Sequence, residues 1–450
     1  MNILDVKRIT EAVERHRQRI LDTERYIWAN PETGYKEIKT SAYMEKAFEE
    51  LGYEITRADG ITGFYTVIDT GREGPCLLVL GELDSVICPS HPDADPVTGA
   101  VHSCGHNAQC AALVGIAAAL KEPGMLDGLS GKIMLCAVPA EELLEIEFRK
   151  ELRAKGIIRF FGGKSEFLSR GYFEGVDLAF MIHTSRSFSI TRGSVGCIAK
   201  SIIYKGVAAH AGGSPQHGKN ALYAATCGIN AINAIRETFT EADTIRVHPI
   251  ITHGGDMVNA IPERVCIESY VRGKTFKAIE KANRRVNQAL CGAALSIGAN
   301  VEIVDIPGYS PHVNSTEMMD ICSEAAELVL EGIEVRRSER YTSGSTDMGD
   351  LSQIMPVIHP YCGGSVGTSH GNNYRIADPE AACVNSAKWQ LGMLTLLLEN
   401  NAERAKQVIS AYKPPFESPK ALLDYMDSLN DSGDRIVYGK DGVATVRIDK

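Results

Sequence analysis

No apolar run in this chain is long enough to cross a bilayer. The longest, Ala111–Leu120 (AALVGIAAAL), has ten residues, well short of the roughly 20 that a spanning helix needs. A basic excess is missing too: 47 Lys and Arg stand against 57 Asp and Glu, a net charge of -10. A surface this acidic disfavours the phosphate backbone of nucleic acid. The opening stretch MNILDVKRITEAVERHRQRI has no apolar core and no small-residue cleavage site, so no signal peptide is expected. Twelve cysteines run from Cys76 to Cys383 without one CxxC pair. In a chain this long they read as reduced, mostly buried thiols rather than a disulfide framework, and the expected compartment is the cytoplasm. No internal repeat is visible.

The chain has 450 residues, of which 44% are hydrophobic. That is material for more than one core, so neither disulfides nor metal are needed merely to fold it. Helical spacing covers Val6 to about Trp28, and again Thr40–Leu51. Strand patterns follow at Phe64–Asp69, Cys76–Leu80, Lys132–Ala140 and Val176–Ile182, with a buried helix at Ala108–Leu120. Apolar strands alternating with helices predict an α/β fold with a mixed, largely parallel sheet. From Ser194 to Ile306 the order becomes β–α–β–β–α–β, the pattern of a small inserted α+β unit of ferredoxin-like type. The α/β texture then resumes, with a helix at Ser315–Leu330, a strand at Ile354–His359 and a helix at Asn385–Leu398. The expected division is 1–190 and 309–412 for the main domain, 191–308 for the insert and 413–450 for a C-terminal appendage.

Three of the predicted buried strands end in residues able to bind metal or move protons. Cys76–Leu80 runs into Glu82 and Asp84, Lys132–Ala140 into Glu141 and Glu142, and Val176–Ile182 into His183. In an open α/β sheet the crevice lies at the carboxyl ends of the strands, so these groups should converge. Gathered carboxylates and imidazoles waste their hydration unless a cation holds them, which makes a metal site the economical reading. His102–Ser103–Cys104–Gly105–His106–Asn107 adds a thiol and an imidazole two residues apart on a glycine turn before a buried helix. Glu141 and Glu142 suit a division of labour, because consecutive side chains point different ways. One can ligate while the other serves as general base. His370, in the loop Gly367–Asn372, is a candidate last ligand.

Two other motifs fail. Gly363–Gly367 matches G-x-S-x-G, but TSHGNNYRIADPE follows where a nucleophile elbow needs a helix. Gly213–Asn220 nearly matches a phosphate loop, yet Asn220 stands where Ser or Thr must hold magnesium.

The stretches LGELDS, HSCGHN, VPAEE, MIH, KGVAAHA, GKNALYAA, NAIPE, GSTDMGD and GTSHGN occur in one order along most of the chain. They resemble the aminoacylase/carboxypeptidase-like dinuclear metallopeptidases, and most of all their amidohydrolase subgroup of indole-acetyl-amino-acid and aminobenzoyl-glutamate hydrolases. The resemblance implies two divalent ions per subunit, manganese or zinc with cobalt or nickel as options. It implies Cys104 as a bridging ligand, His106, Glu142, His183 and His370 as the other ligands, and Glu141 as general base. Asp84 would orient a ligand, and Glu82 stands where other subgroups carry a ligating His. The insert would be a lid through which subunits dimerise. His210 would reach a neighbouring subunit's site to polarise the scissile carbonyl, and Asn259 and Arg272 would hold the substrate carboxylate. The implied substrate is an N-acyl amino acid or an aminobenzoyl-glutamate-like amide. A dipeptidase for β-alanyl or other dipeptides is the alternative within enzymes, and a silent ligand-binding relative the alternative outside them. Two departures stand out. Asn107 replaces the Asp of many relatives, and the charged stretch Leu143–Lys155, continuing to Phe160, is longer than the pattern requires. It is expected to wall the cleft and restrict the acyl group.

Overall fold

The computed structural model describes residues 3–448. Its central sheet has six strands in the order Thr56–Arg57, Phe64–Asp69, Lys132–Val138, Cys76–Glu82, Leu178–Phe180, Val357–Ile358. The last four run parallel to one another, while Phe64–Asp69 and Thr56–Arg57 add an antiparallel margin. All seven residues of Cys76–Glu82 are buried, as a parallel sheet covered on both faces requires. Alternation along that strand sends Leu77 and Val79 into one core and Leu78 and Leu80 into the other. Helix His106–Leu120, buried at every residue, lies in the first core against Asn385–Ala411. Gly115 makes its crossing with the N-terminal helices possible, since a Cβ there would fall 2.5 Å from Ile20 Cδ1.

The second sheet is antiparallel throughout. Its order is Arg246–Val247, Arg264–Gly273, Gly196–Lys205, Asn300–Pro307, Asp431–Asp434, with Ile250–His253 also paired to Arg264–Gly273. Helices Ala221–Ile235 and Phe276–Ile297 cover one face through Ala224, Ile232, Val286 and Leu290. Each starts at a side-chain cap: Asn220 accepts from Tyr223 N and Thr275 from Ala278 N. Asn220, out of place in a phosphate loop, is thus a helix cap.

Three details differ from the sequence pattern. The first helical stretch breaks into Ile3–Arg15 and Arg17–Trp28, at His16, whose Nε2 meets Glu122 Oε1 at 2.8 Å. The strand read at Ile354–His359 shrinks to Val357–Ile358, because Pro356 has no N–H to give a ladder. The C-terminal segment is woven into both units. Its helix Pro419–Ser428 packs Leu422, Leu423 and Met426 into the main core, and its strand Asp431–Asp434 completes the second sheet. No helix among the described residues is long and apolar enough to cross a membrane.

Candidate metal centre and cleft

Lys132–Val138, Cys76–Glu82 and Leu178–Phe180 are neighbours in the sheet and run parallel. Their carboxyl ends therefore deliver Glu82, Asp84, Glu141, Glu142 and His183 to one edge, as the sequence predicts. Cys104 and His106 arrive there on a turn that only glycine allows. Gly105 has φ +92, and a Cβ would lie 2.4 Å from Tyr374 Oη. His370 comes from the loop inside the hairpin Ser365–Val366/Arg375–Ile376, where its N–H donates to Ser103 O at 2.9 Å.

The five residues expected as ligands come together in two donor sets, Cys104/His106/His183 and Cys104/Glu142/His370. Within each the donor atoms lie inside 4.8 Å. The sets share one sulfur, the arrangement a bridging thiolate would have. Cys104 Sγ is 3.4 Å from His183 Nε2, and His370 Nε2 is 2.9 Å from Glu142 Oε1. The ligand nitrogens are fixed from behind. His106 Nδ1 donates to Asp84, 3.0 Å from its carbonyl and 3.2 Å from Oδ1. His183 Nδ1 donates to Thr184 O at 2.7 Å. In its neutral form each ring then keeps an Nε2 lone pair facing the site. Asp84 Oδ2 also accepts from Glu142 N at 2.8 Å, so one carboxylate orients members of both sets. His106 Nε2 and Glu142 Oε1 are buried without an aligned hydrogen-bond partner. Orphaned lone pairs of this kind, on soft and borderline donors, fit divalent ions.

The electrostatics separate the two glutamates. Burial, reinforced by Glu82 and Glu142, holds the Glu141 carboxyl well above its ordinary range. Burial also opposes ionisation of Glu142, but the His370 imidazole outweighs it and drives that carboxyl down. Burial and Glu142 push the Cys104 thiol up, yet His106 and His183 bring it to about 6. The pattern is a proton holder beside an ionised carboxylate and a thiolate.

Glu82 is buried against Lys164, whose Nζ lies 2.5 Å from Oε1; Gln109 Nε2 donates to Oε2 at 2.9 Å. Despite burial, that ammonium lowers the carboxyl to about 2. The same Nζ bonds Asp347. Neither Lys164 nor Asp347 stands out in the sequence as part of the site. Asp347 falls inside the motif GSTDMGD, its one signal in the sequence, while no local spacing connects residues so far apart.

In front of the donor sets lies a cleft of about 410 Å³ bordered by Glu141, Glu142, Leu143, Leu144, Arg272 and Ser345, among others. Arg272 reaches it from the second sheet, with one terminal nitrogen 3.3 Å from Ser345 Oγ and its Nε buried and unpartnered. The long stretch after Glu142 does not roof this cleft. Only Leu143 and Leu144 line it, and helix Ile146–Ala154 sits behind the turn, wedged by Ile146 and Phe161 against Ala199 and Ile306 of the second sheet.

His210 and Asn259 are not in the cleft. They adjoin one another on exposed loops of the second unit, where Ala211 N donates to Asn259 O at 2.9 Å and His210 bridges Ala260. His210 Nδ1 accepts from Gly213 N at 2.9 Å and from Gly212 N at 3.2 Å. The neutral ring therefore carries its proton on Nε2, as an outward donor.

The pattern of peptidase family M20/M25/M40 matches residues 78–395. Among curated proteins, the Xaa-Arg dipeptidase of Mus musculus is 28% identical over 368 residues, covering 79% of each chain. The indole-3-acetyl-aspartic acid hydrolase of Enterobacter agglomerans is 29% identical over 262 residues, covering 54% of this chain and 55% of its own. Two solved structures share the fold. A dinuclear metal binding peptidase of the M20 family from Bacillus subtilis has a TM-score of 0.62 at 20% identity, over 86% of this chain and 99% of its own. An aminobenzoyl-glutamate utilization protein from Klebsiella pneumoniae has a TM-score of 0.64 at 18% identity, over 86% and 98%. The chain belongs to peptidase family M20/M25/M40 and is a hydrolase of amide or peptide bonds that uses divalent metal ions.

Proposed function

We propose that this hydrolase cleaves the amide joining an acyl or aminoacyl group to an amino acid with a free carboxylate. The observation that carries the reading is the pair of donor sets sharing Cys104 with Glu141 beside them. Cys104, His106 and His183 would hold one divalent ion and Cys104, Glu142 and His370 the other. The thiolate suits zinc, and the carboxylate and imidazoles also accept manganese, cobalt or nickel. When bound, the ions supply positive charge that polarises a carbonyl and lowers the pKa of water.

The chain's own groups do the rest. Glu141, which the positive charge of the bound ions would ionise, takes the proton of the attacking water and passes it to the departing amine nitrogen. Asp84 keeps His106 and the Glu142 backbone in place. Arg272 offers a guanidinium fork to the substrate carboxylate, and Leu143 and Leu144 border the space for the acyl group. The second unit acts as the lid, and two subunits pair through it. His210 of a second copy then donates from Nε2 to the developing oxyanion, with Asn259 beside it on the carboxylate. The complete donor sets argue against a silent binding protein.

The similarity to Xaa-Arg dipeptidases supports a dipeptide reading as the second option. Against cationic substrates, the acidic residues lining the cleft, among the described residues, are Glu141 and Glu142, which the chemistry already uses, whereas the remaining fixed charge is the Arg272 cation. The test is elemental analysis of the purified protein, followed by a panel of N-acyl amino acids, aminobenzoyl-glutamate and dipeptides. Glu141→Ala should keep metal and lose turnover by about 10³-fold or more. Turnover that survives exhaustive chelation would overturn the proposal.

A further inference from the structure

We infer that Arg149, on the inserted helix Ile146–Ala154, is a positioning residue that sets the aim of Glu141 and Glu142; the inference rests on the metal-centre reading above. Ala140, which opens the turn bearing both glutamates, has φ +56. A non-glycine residue stays in that left-handed conformation only where its surroundings over-determine it.

Arg149 is 1% exposed, and its guanidinium lies behind the turn. One terminal nitrogen donates to Phe161 O at 2.5 Å and to Ala140 O at 3.4 Å; the other bonds Glu142 O. A single planar fork therefore grips the carbonyls on both sides of Glu141. Leu144 N shares the Glu142 carbonyl from within the turn, and Gly163 N, at the start of helix Gly163–Ser169, shares that of Ala140; Arg149 alone among these donors spans both carbonyls.

Burying this cation forms no ion pair; beyond its hydrogen bonds it has the face of the Tyr35 ring, 5.5 Å from the guanidinium carbon. No carboxylate oxygen lies within ion-pair distance of it among the described residues, its hydrogen bonds all go to main-chain carbonyls, and its Nε has no partner. A buried charge so poorly compensated is costly. Space is nonetheless reserved for it: a Cβ on Gly34 would stand 2.4 Å from a terminal nitrogen of Arg149 and 2.9 Å from Ala140 Cα.

The remaining polar groups of the turn are fixed by other side chains. Ala140 N donates to Glu37 Oε1 and Glu142 N to Asp84 Oδ2, each at 2.8 Å. The hydroxyls of Tyr309 and Tyr270 donate to the carbonyls of Glu141 and Leu143. Arg149 is the one member of this clamp that the inserted helix Ile146–Ala154 contributes, and apolar packing by Ile146 holds that helix where the guanidinium can reach the turn.

The two donor sets make the effect measurable without a substrate, because Glu142 belongs to only one of them. The experiment is cobalt(II) binding to the full-length, metal-stripped protein, read from the ligand-field and thiolate charge-transfer bands, for wild type, Arg149→Lys, Arg149→Met and Ile146→Ala. Ile146 is a buried residue of the same helix whose apolar side chain cannot hydrogen-bond the carbonyls, so its variant controls for loosening the helix. Wild type should take two equivalents. Arg149→Met should retain the first and weaken the second at least tenfold, with Arg149→Lys in between and Ile146→Ala like wild type. If Arg149→Met does not fold, the comparison of Arg149→Lys with Ile146→Ala at matched loss of Tm decides. Equal weakening in those two, or an unchanged second equivalent in the Arg149 variants, overturns the inference alone. Wild-type protein that takes up no cobalt overturns the metal-centre reading and this inference with it.

Discussion

Asn107, next to the proposed ligand His106, shows how one side chain sets the state of its neighbourhood. Its Nδ2 donates to Glu24 Oε1 at 2.8 Å, and its own Oδ1 is buried without a partner. An Asp here would set two carboxyls against each other. Burial already lifts Glu24 to about 7, above its value in the unfolded chain. The fold therefore favours the protonated acid, and the stability this contributes is complete below about pH 4.5 and lost as pH rises through about 7. The loss amounts to about 2–3 kcal/mol. Glu24→Gln cannot ionise and can also donate to Asn107 Oδ1. It should raise Tm by several degrees at about pH 8 and change it little near pH 4.5, as calorimetry at the two pH values would show. A gain of equal size at both would remove ionisation as the cause.

At the level of elements, legibility followed burial and periodicity. The strands that carry the site were readable because a sheet covered on both faces demands unbroken apolar runs, and His106–Leu120 because its whole length is apolar. The residues of the proposed donor sets could be picked out because each closes such a run or sits on a turn with glycine. Arg149 and Lys164 were not, since a buried cation in a charged helix or a glycine loop looks like an exposed one until its partners are placed. The strand Asp431–Asp434 (DSGD) was invisible for another reason: it has no apolar alternation and joins Asn300–Pro307 through its backbone. What anchors it is Arg435, fully buried, which donates to Asp431 Oδ2 at 2.8 Å and to Ile303 O at 3.0 Å. Removing one partner of such a pair leaves the other charge stranded, although Arg447 also reaches Asp431 at 3.2 Å. Arg435→Ala should thus lower stability by about 2–3 kcal/mol in urea unfolding. A change within a few tenths would mean that the tail strand is not held by this ion pair.

For the molecule as a whole, the proposed function requires a second copy to complete the site of one chain. Everything that could hold ions and move protons is gathered behind one cleft, while the donor expected to face the oxyanion, His210, stands exposed on the far unit beside Asn259. The same unit carries uncovered apolar side chains, among them Val258, Met257, Ile250 and Ile251, which a partner surface would cover. A second copy placed there would bury the apolar group and carry His210 and Asn259 to its partner's cleft. The consequence is complementation between two defective chains. His210→Ala keeps its own Glu141 but has no donor to lend, and Glu141→Gln keeps the donor but cannot move the proton. Each should be nearly inactive alone. After random exchange of subunits, half of the dimers are mixed and each of these holds one intact site, so activity should return to about a quarter of the wild-type value. Size-exclusion chromatography coupled to light scattering identifies the dimer, and assays before and after mixing measure the recovery. A His210→Ala chain as active as wild type, or a mixture no better than its parts, would place the whole reaction within one subunit.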